Sequence, residues 1–180
     1  MIEIFLSCIA SSILLLISGN LFCAYFFNQN IYENHKFYEN SLFGIICLSF
    51  LALIINFILP LSKMIGTALF LGSFIYFVIY LIKSKYKKDL ILYIFYTSTI
   101  TLFLIFLSNI NRPDAGLYHL PFTSLINENK IILGSTNIHF RFGHISIMQY
   151  LSAIYNNYLF STSIVTIPLA SLVSIFLVYL

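Results

Sequence analysis

Between Asn111 and Asn156 lie three of the chain's four histidines, both of its arginines and two of its six acidic residues. The run opens Asn111-Arg112-Pro113-Asp114-Ala115-Gly116-Leu117-Tyr118-His119-Leu120-Pro121 and continues through His139-Phe140-Arg141-Phe142-Gly143-His144. Tyr118 is four residues after Asp114 and His119 five, so on a helix Tyr118 shares the carboxylate's face with His119 beside it. A carboxylate in that company suits a general base for a hydroxyl acceptor. Asp114 could equally cap the helix by accepting from an early backbone amide. Arg112 and Arg141 carry the planar fork that grips phosphate, or they snorkel toward lipid head groups. Arg141 is the better phosphate candidate, since it sits between Phe140 and Phe142 and between His139 and His144. The same histidines, with His119, could take a divalent cation. Against that, His139 and His144 are five apart, which does not stack them on one helical face as four would.

The rest of the chain must position this stretch, and it is mostly apolar. Hydrophobic residues make up 60% of the 180 residues and charged residues 8%, against about 25% charged in a soluble domain. That excludes an ordinary soluble fold. A net charge of +3 does not imply nucleic acid, because the lysines gather beside apolar segments, where they mark topology. Cys8, Cys23 and Cys47 lie in apolar runs without paired or metal-ligand spacing and read as small buried residues.

Five apolar segments, residues 4–27, 41–60, 65–82, 90–107 and 161–180, approach the roughly 20 residues that a membrane span needs. Each should be helical despite its β-branched and aromatic content, because lipid leaves no partner for an unpaired backbone group. The first has only Glu3 before it rather than a basic region, so it reads as a retained span and not a signal peptide. After Pro60 a tight turn over residues 61–64 makes the second and third spans an antiparallel hairpin. Four lysines between Lys83 and Asp89 place that loop in the cytoplasm. Alternation then puts residues 28–40 inside and residues 109–160 outside. Basic residues number five in the inner loops (Lys36, Lys83, Lys85, Lys87, Lys88) and four in the outer ones (Lys63, Arg112, Lys130, Arg141).

The expected fold is thus an all-α polytopic membrane protein of about five transmembrane helices. Residues 1–108 form a four-span bundle, 109–160 an extracytoplasmic loop, and 161–180 a fifth span. In the loop, Leu117, Leu120, Pro121, Leu125 and Ile126 recur at helical spacing, as do Ile147, Met148, Leu151 and Ile154. These predict two amphipathic helices at the membrane surface, separated by a turn at Gly134-Ser135-Thr136-Asn137. Because the last apolar run continues to Leu180 without a polar flank, the chain reads as the N-terminal part of a longer protein.

The run Asp114-Ala115-x-x-Tyr118-His119-x-Pro121 resembles a family of bacterial multi-span proteins described as glycosyltransferase-like, and more broadly the outer loop of GT-C-class membrane glycosyltransferases. In many GT-C enzymes the acidic loop follows the first span, whereas here four spans precede it. The resemblance implies a multi-pass protein of the bacterial inner membrane, with its loop outside. It implies transfer of a sugar from a polyprenyl-phosphate donor to an extracytoplasmic acceptor, with Asp114 catalytic. Arg112, Tyr118, His119, His139, Arg141 and His144 are then the substrate-binding candidates, with membrane lipids as the surroundings. Two alternatives share the topology. A polysaccharide polymerase or ligase would rely on paired arginines. A transport component would usually place charged residues inside its spans, and the five segments hold none between their assigned ends.

Overall fold

A computed structural model describes residues 2–33, 35–108, 115–143, 146–160 and 165–180. Among them every regular element is helical. The long helices are α1 (Ile2–Phe27), α2 (Phe37–Ile58), α3 (Lys63–Lys83) and α4 (Lys87–Leu107), all long and apolar enough to cross a membrane. The short ones are α5 (Leu120–Glu128), α6 (Ile147–Tyr155) and α7 (Ile167–Tyr179). The protein is a polytopic helical membrane protein. Of the segment expected as a fifth span, α7 supplies 13 residues, about 20 Å of helix at 1.5 Å per residue. Residues 161–164 lie outside the described residues.

The core is centred on α1, where Ser11 through Ile17 are all buried. Helices pack in lipid by close approach of small residues, since lipid itself is as apolar as leucine. Gly19 and Gly44 make that approach between α1 and α2. A Cβ at Gly19 would lie 1.6 Å from the Asn40 carbonyl oxygen, and one at Gly44 would lie 1.9 Å from that of Leu15. Beside the crossing Asn40 Nδ2 donates to Asn20 Oδ1 at 2.6 Å. This bond explains why α2 begins at Phe37, earlier than the apolar run at residue 41. Asn40 looks like loop in the sequence, yet it is buried with a partner on α1.

Hydroxyls complete the seams. Ser11 Oγ lies 2.7 Å from the Tyr155 hydroxyl and 2.8 Å from Ser171 Oγ, so one serine joins α1, α6 and α7. Ser12 meets Ser98 and Thr97 of α4, and Thr101 meets Ser174 of α7. Among the described residues the buried polar side chains are hydroxyls and amides, with no charged group.

The bundle has two unlike ends. Short connections, residues 28–36 and 84–86, form the lysine end. There Lys85 pairs with Glu33 and Lys36 with Glu39 at 3.3 Å, while Lys83 lies 5.4 Å from the Tyr32 ring centre. The other end carries the α2–α3 turn and the long loop with α5 and α6.

Candidate functional site

Two short helices shape the loop end. A π-helical turn over Ala115–His119 leads into α5, where Thr123 Oγ1 donates to the His119 carbonyl at 2.9 Å. This is one continuous helical run, as the apolar spacing predicts. The second begins at a capping box. Ser146 Oγ accepts from the Met148 amide at 3.3 Å, and Gln149 Oε1 accepts from the Ser146 amide at 3.2 Å. Two otherwise orphaned donors at the helix start are thereby satisfied.

Amide side chains fasten this loop to the bundle. Asn56 of α2 donates to the carbonyls of Ile126 and Asn129, at 3.2 and 3.0 Å. Asn127 of α5 donates to the carbonyls of Leu61 and Ala153, and its Oδ1 accepts from Asn156 at 2.8 Å. Leu61 N–H bonds to Ile126 O and Ile131 N–H to Asn56 O. The carbonyls left open at the C-terminal turn of α5 are thus gripped by α2 and by the α2–α3 turn. In addition α6 enters the bundle rather than resting on it: Leu151, Ala153, Ile154 and Tyr155 are wholly buried.

On this frame four of the expected site residues come together. The Tyr118 and His119 rings are 4.2 Å apart, and the Arg141 guanidinium carbon lies 4.8 Å from the Tyr118 ring centre. Stacking of a guanidinium on a phenol ring is a cation–π contact. Arg141 sits in the 3-10 turn Phe140–Gly143, and its amide donates to His139 Nδ1 at 3.3 Å. His139 in turn contacts Phe140 and Phe142, at 5.0 and 5.3 Å between ring centres. Buried Phe142 continues to Phe122 and Tyr150, and burial pushes the Tyr150 hydroxyl's pKa upward. The cluster therefore has an aromatic floor rooted in α5 and α6, while His119 on its rim is exposed.

Asp114, Arg112 and His144 lie outside the described residues. Among the described residues no three histidine, cysteine or acidic side chains gather as a metal-binding group. Beneath the aromatic floor is a cavity of about 20 Å³ lined in part by Asn56, Phe122, Ile126, Ser135 and Tyr150. That volume holds a water-sized molecule and not a sugar. A large ligand would have to lie across the rim.

Gln149 belongs to the site although the sequence reading passed over it. Its Nε2 is 3.0 Å from His119 Nδ1. The signal was present, because Ser146-Ile147-Met148-Gln149 has the spacing of a capping box ahead of an apolar run. What the spacing does not carry is the contact with a histidine thirty residues earlier.

No curated protein and no solved structure shows a significant match to the chain. A family match runs over residues 1–180, so the chain belongs to DUF8201, a family described as a domain of unknown function.

Proposed function

We propose that the protein is a membrane glycosyltransferase, or the membrane-embedded part of one, moving a sugar from a polyprenyl-phosphate donor to an extracytoplasmic acceptor. The observation that carries the reading is the meeting of Arg141, Tyr118 and His119 at the loop end of a polytopic bundle. A guanidinium on an aromatic ring beside an imidazole offers a phosphate both charge and hydrogen-bond donors at the bilayer surface. Asp114, one residue before the helical run that carries Tyr118 and His119, is the proposed base for the acceptor hydroxyl. The scarcity of charge within the spans favours this reading over a transport component, whose path usually carries such groups.

The test compares Asp114→Asn with Asp114→Ala in the full-length protein. Asparagine caps a helix about as well as aspartate but cannot accept the acceptor's proton. Sugar transfer from a polyprenyl-phosphate donor should fall by about 10²–10⁴ in the Asn variant, with its melting temperature held. Normal transfer by Asp114→Asn would leave Asp114 a cap and remove the mechanism.

A further inference from the structure

A neutral imidazole has one N–H and one lone pair, and the partner of one nitrogen decides which is which. Two imidazoles in the cluster have that choice made for them by groups that can only donate. For His139 the group is the Arg141 backbone amide, 3.3 Å from Nδ1. An amide N–H has nothing to accept with, so Nδ1 must supply its lone pair.

For His119 the constraint passes through one more residue. Gln149 Oε1 accepts from the Ser146 backbone amide, closing the capping box. Reversing the carboxamide would set an NH₂ group against that N–H, two donors facing one another. The carboxamide is therefore fixed with its NH₂ toward His119 Nδ1, 3.0 Å away. Again Nδ1 accepts. In both neutral rings the proton resides on Nε2.

We infer that His119, His139 and Arg141 form an oxyanion-binding surface for a phosphate ester, with each imidazole presenting Nε2–H as a donor and Gln149 setting the tautomer of His119. Arg141 is held near His119 by the ring between them, its guanidinium carbon 4.8 Å from the Tyr118 ring centre and that ring 4.2 Å from the His119 ring. In these tautomers each imidazole has an N–H and no lone pair at Nε2, and the guanidinium adds further N–H groups. Donors of this kind match phosphate oxygens, and bonds to a charged oxygen are about twice as strong as neutral ones. The same tautomers disfavour a divalent cation. A metal-bound histidine places its lone pair on the metal and donates its other N–H to an acceptor, whereas here the second nitrogen faces a donor. The inference deepens the proposed function and rests on it only for the choice of a phosphate ester as the anion.

The experiment uses the full chain in phosphatidylcholine nanodiscs, with ring-¹⁵N histidine, at a pH where the imidazoles are neutral. His119→Gln and His139→Gln variants assign the signals. Long-range ¹H–¹⁵N correlation should show both rings protonated at Nε2. Gln149→Glu keeps an oxygen for the Ser146 amide and turns the donor facing His119 into an acceptor. It should move the His119 proton to Nδ1 and leave His139 unchanged. Nδ1–H on either ring in the unmodified protein, or an unmoved His119 proton in Gln149→Glu, overturns the tautomer assignment.

The second arm adds inorganic phosphate, then a polyprenyl phosphate carried in the nanodisc. Shifts of both Nε2–H signals with either probe, weakened about tenfold by Gln149→Glu, support the surface. Response to the polyprenyl phosphate alone identifies a lipid-borne phosphate, and response to both identifies the phosphate group itself. No response to either overturns the anion assignment. None of these readouts depends on sugar transfer, so a failed transfer reaction and a failed phosphate surface are distinguishable.

Discussion

The two ends of the bundle hold their chain by different physics. At the lysine end the connections are short, and the charged contacts, Lys85 with Glu33 and Lys36 with Glu39, lie in the open. The strong contact nearby is inside, where Gly19 and Gly44 let two backbones touch. At the loop end the connection is long, and buried amides of Asn56 and Asn127 bind it through backbone carbonyls. A short connection needs only that its helices pack. A long one needs its own internal fastening, because every uncompensated backbone group it buries costs free energy. The loop end thus has its geometry fixed by buried amides, whereas the lysine end relies on helix packing beneath exposed charges.

The sharpest way to break this comparison is to ask which end faces out. In intact bacterial cells a cysteine at the exposed Thr136 should react fully with a membrane-impermeant maleimide, and one at the exposed Lys88 should react only after permeabilisation. Of the three native thiols, Cys8 and Cys23 are buried and Cys47 is half-buried in α2, so the parent protein is labelled in parallel to give the background. The reverse pattern would place the loop in the cytoplasm and end the case for an extracytoplasmic acceptor.

Packing at the glycine crossing should give the next largest effect. In Gly44→Ala the new methyl must share space with the Leu15 carbonyl, so α1 and α2 must separate. Overpacking of this sort costs about 1–3 kcal/mol and occasionally more. The rigid backbone on the far side places this variant at the upper end. Gly72→Ala is the control, with nothing within 4 Å of the added carbon. Its melting temperature in detergent should hold or rise. Equal losses in the two variants would mean that the crossing is not what closes this end.

At the loop end, Asn127→Leu removes the donors to Leu61 O and Ala153 O and the acceptor for Asn156. Leaving buried partners unsatisfied costs about 1–3 kcal/mol. The loss should be local. Hydrogen exchange should quicken over residues 120–157 while α1 and α4 stay protected. Uniform quickening across the whole chain would make Asn127 part of the core and not a fastening of the loop.

The smallest effect belongs to the exposed charges. Lys85 has its pKa raised, first by its hydrogen bond to Glu33 and then by that carboxylate's charge. A raised lysine pKa stabilises the folded state below the ordinary lysine range, and the contribution disappears as pH rises through the folded value. Because Lys85 is fully exposed, solvent screens most of it. Lys85→Ala should leave the melting temperature at neutral pH nearly unchanged. A large drop would show that the lysine end is fastened by charge after all.

The spans were legible because lipid imposes one rule on every residue facing it, and the apolar runs obey it with little ambiguity. Both loop helices were legible for a related reason, since their apolar residues repeat at helical spacing. The partners of buried amides were not. Asn20 sits in an apolar run and Asn40 in a polar one, and periodicity says nothing of a bond between them. The site was half legible. Its residue types marked the loop as chemical, but sequence order grouped Tyr118 with Asp114 and Arg141 with two histidines. Folding in addition sets Arg141 on Tyr118, a pairing that depends on how α5 and α6 are clamped.

Ser11 gives the architecture a schedule. Its two hydroxyl partners, Tyr155 and Ser171, lie 144 and 160 residues further along the chain. At roughly 5–20 residues per second of synthesis, α1 waits about 8–32 s in the membrane before its last partner exists. During that interval α1 holds its place without these partners, and α6 cannot lock against it any earlier than Tyr155 itself is made.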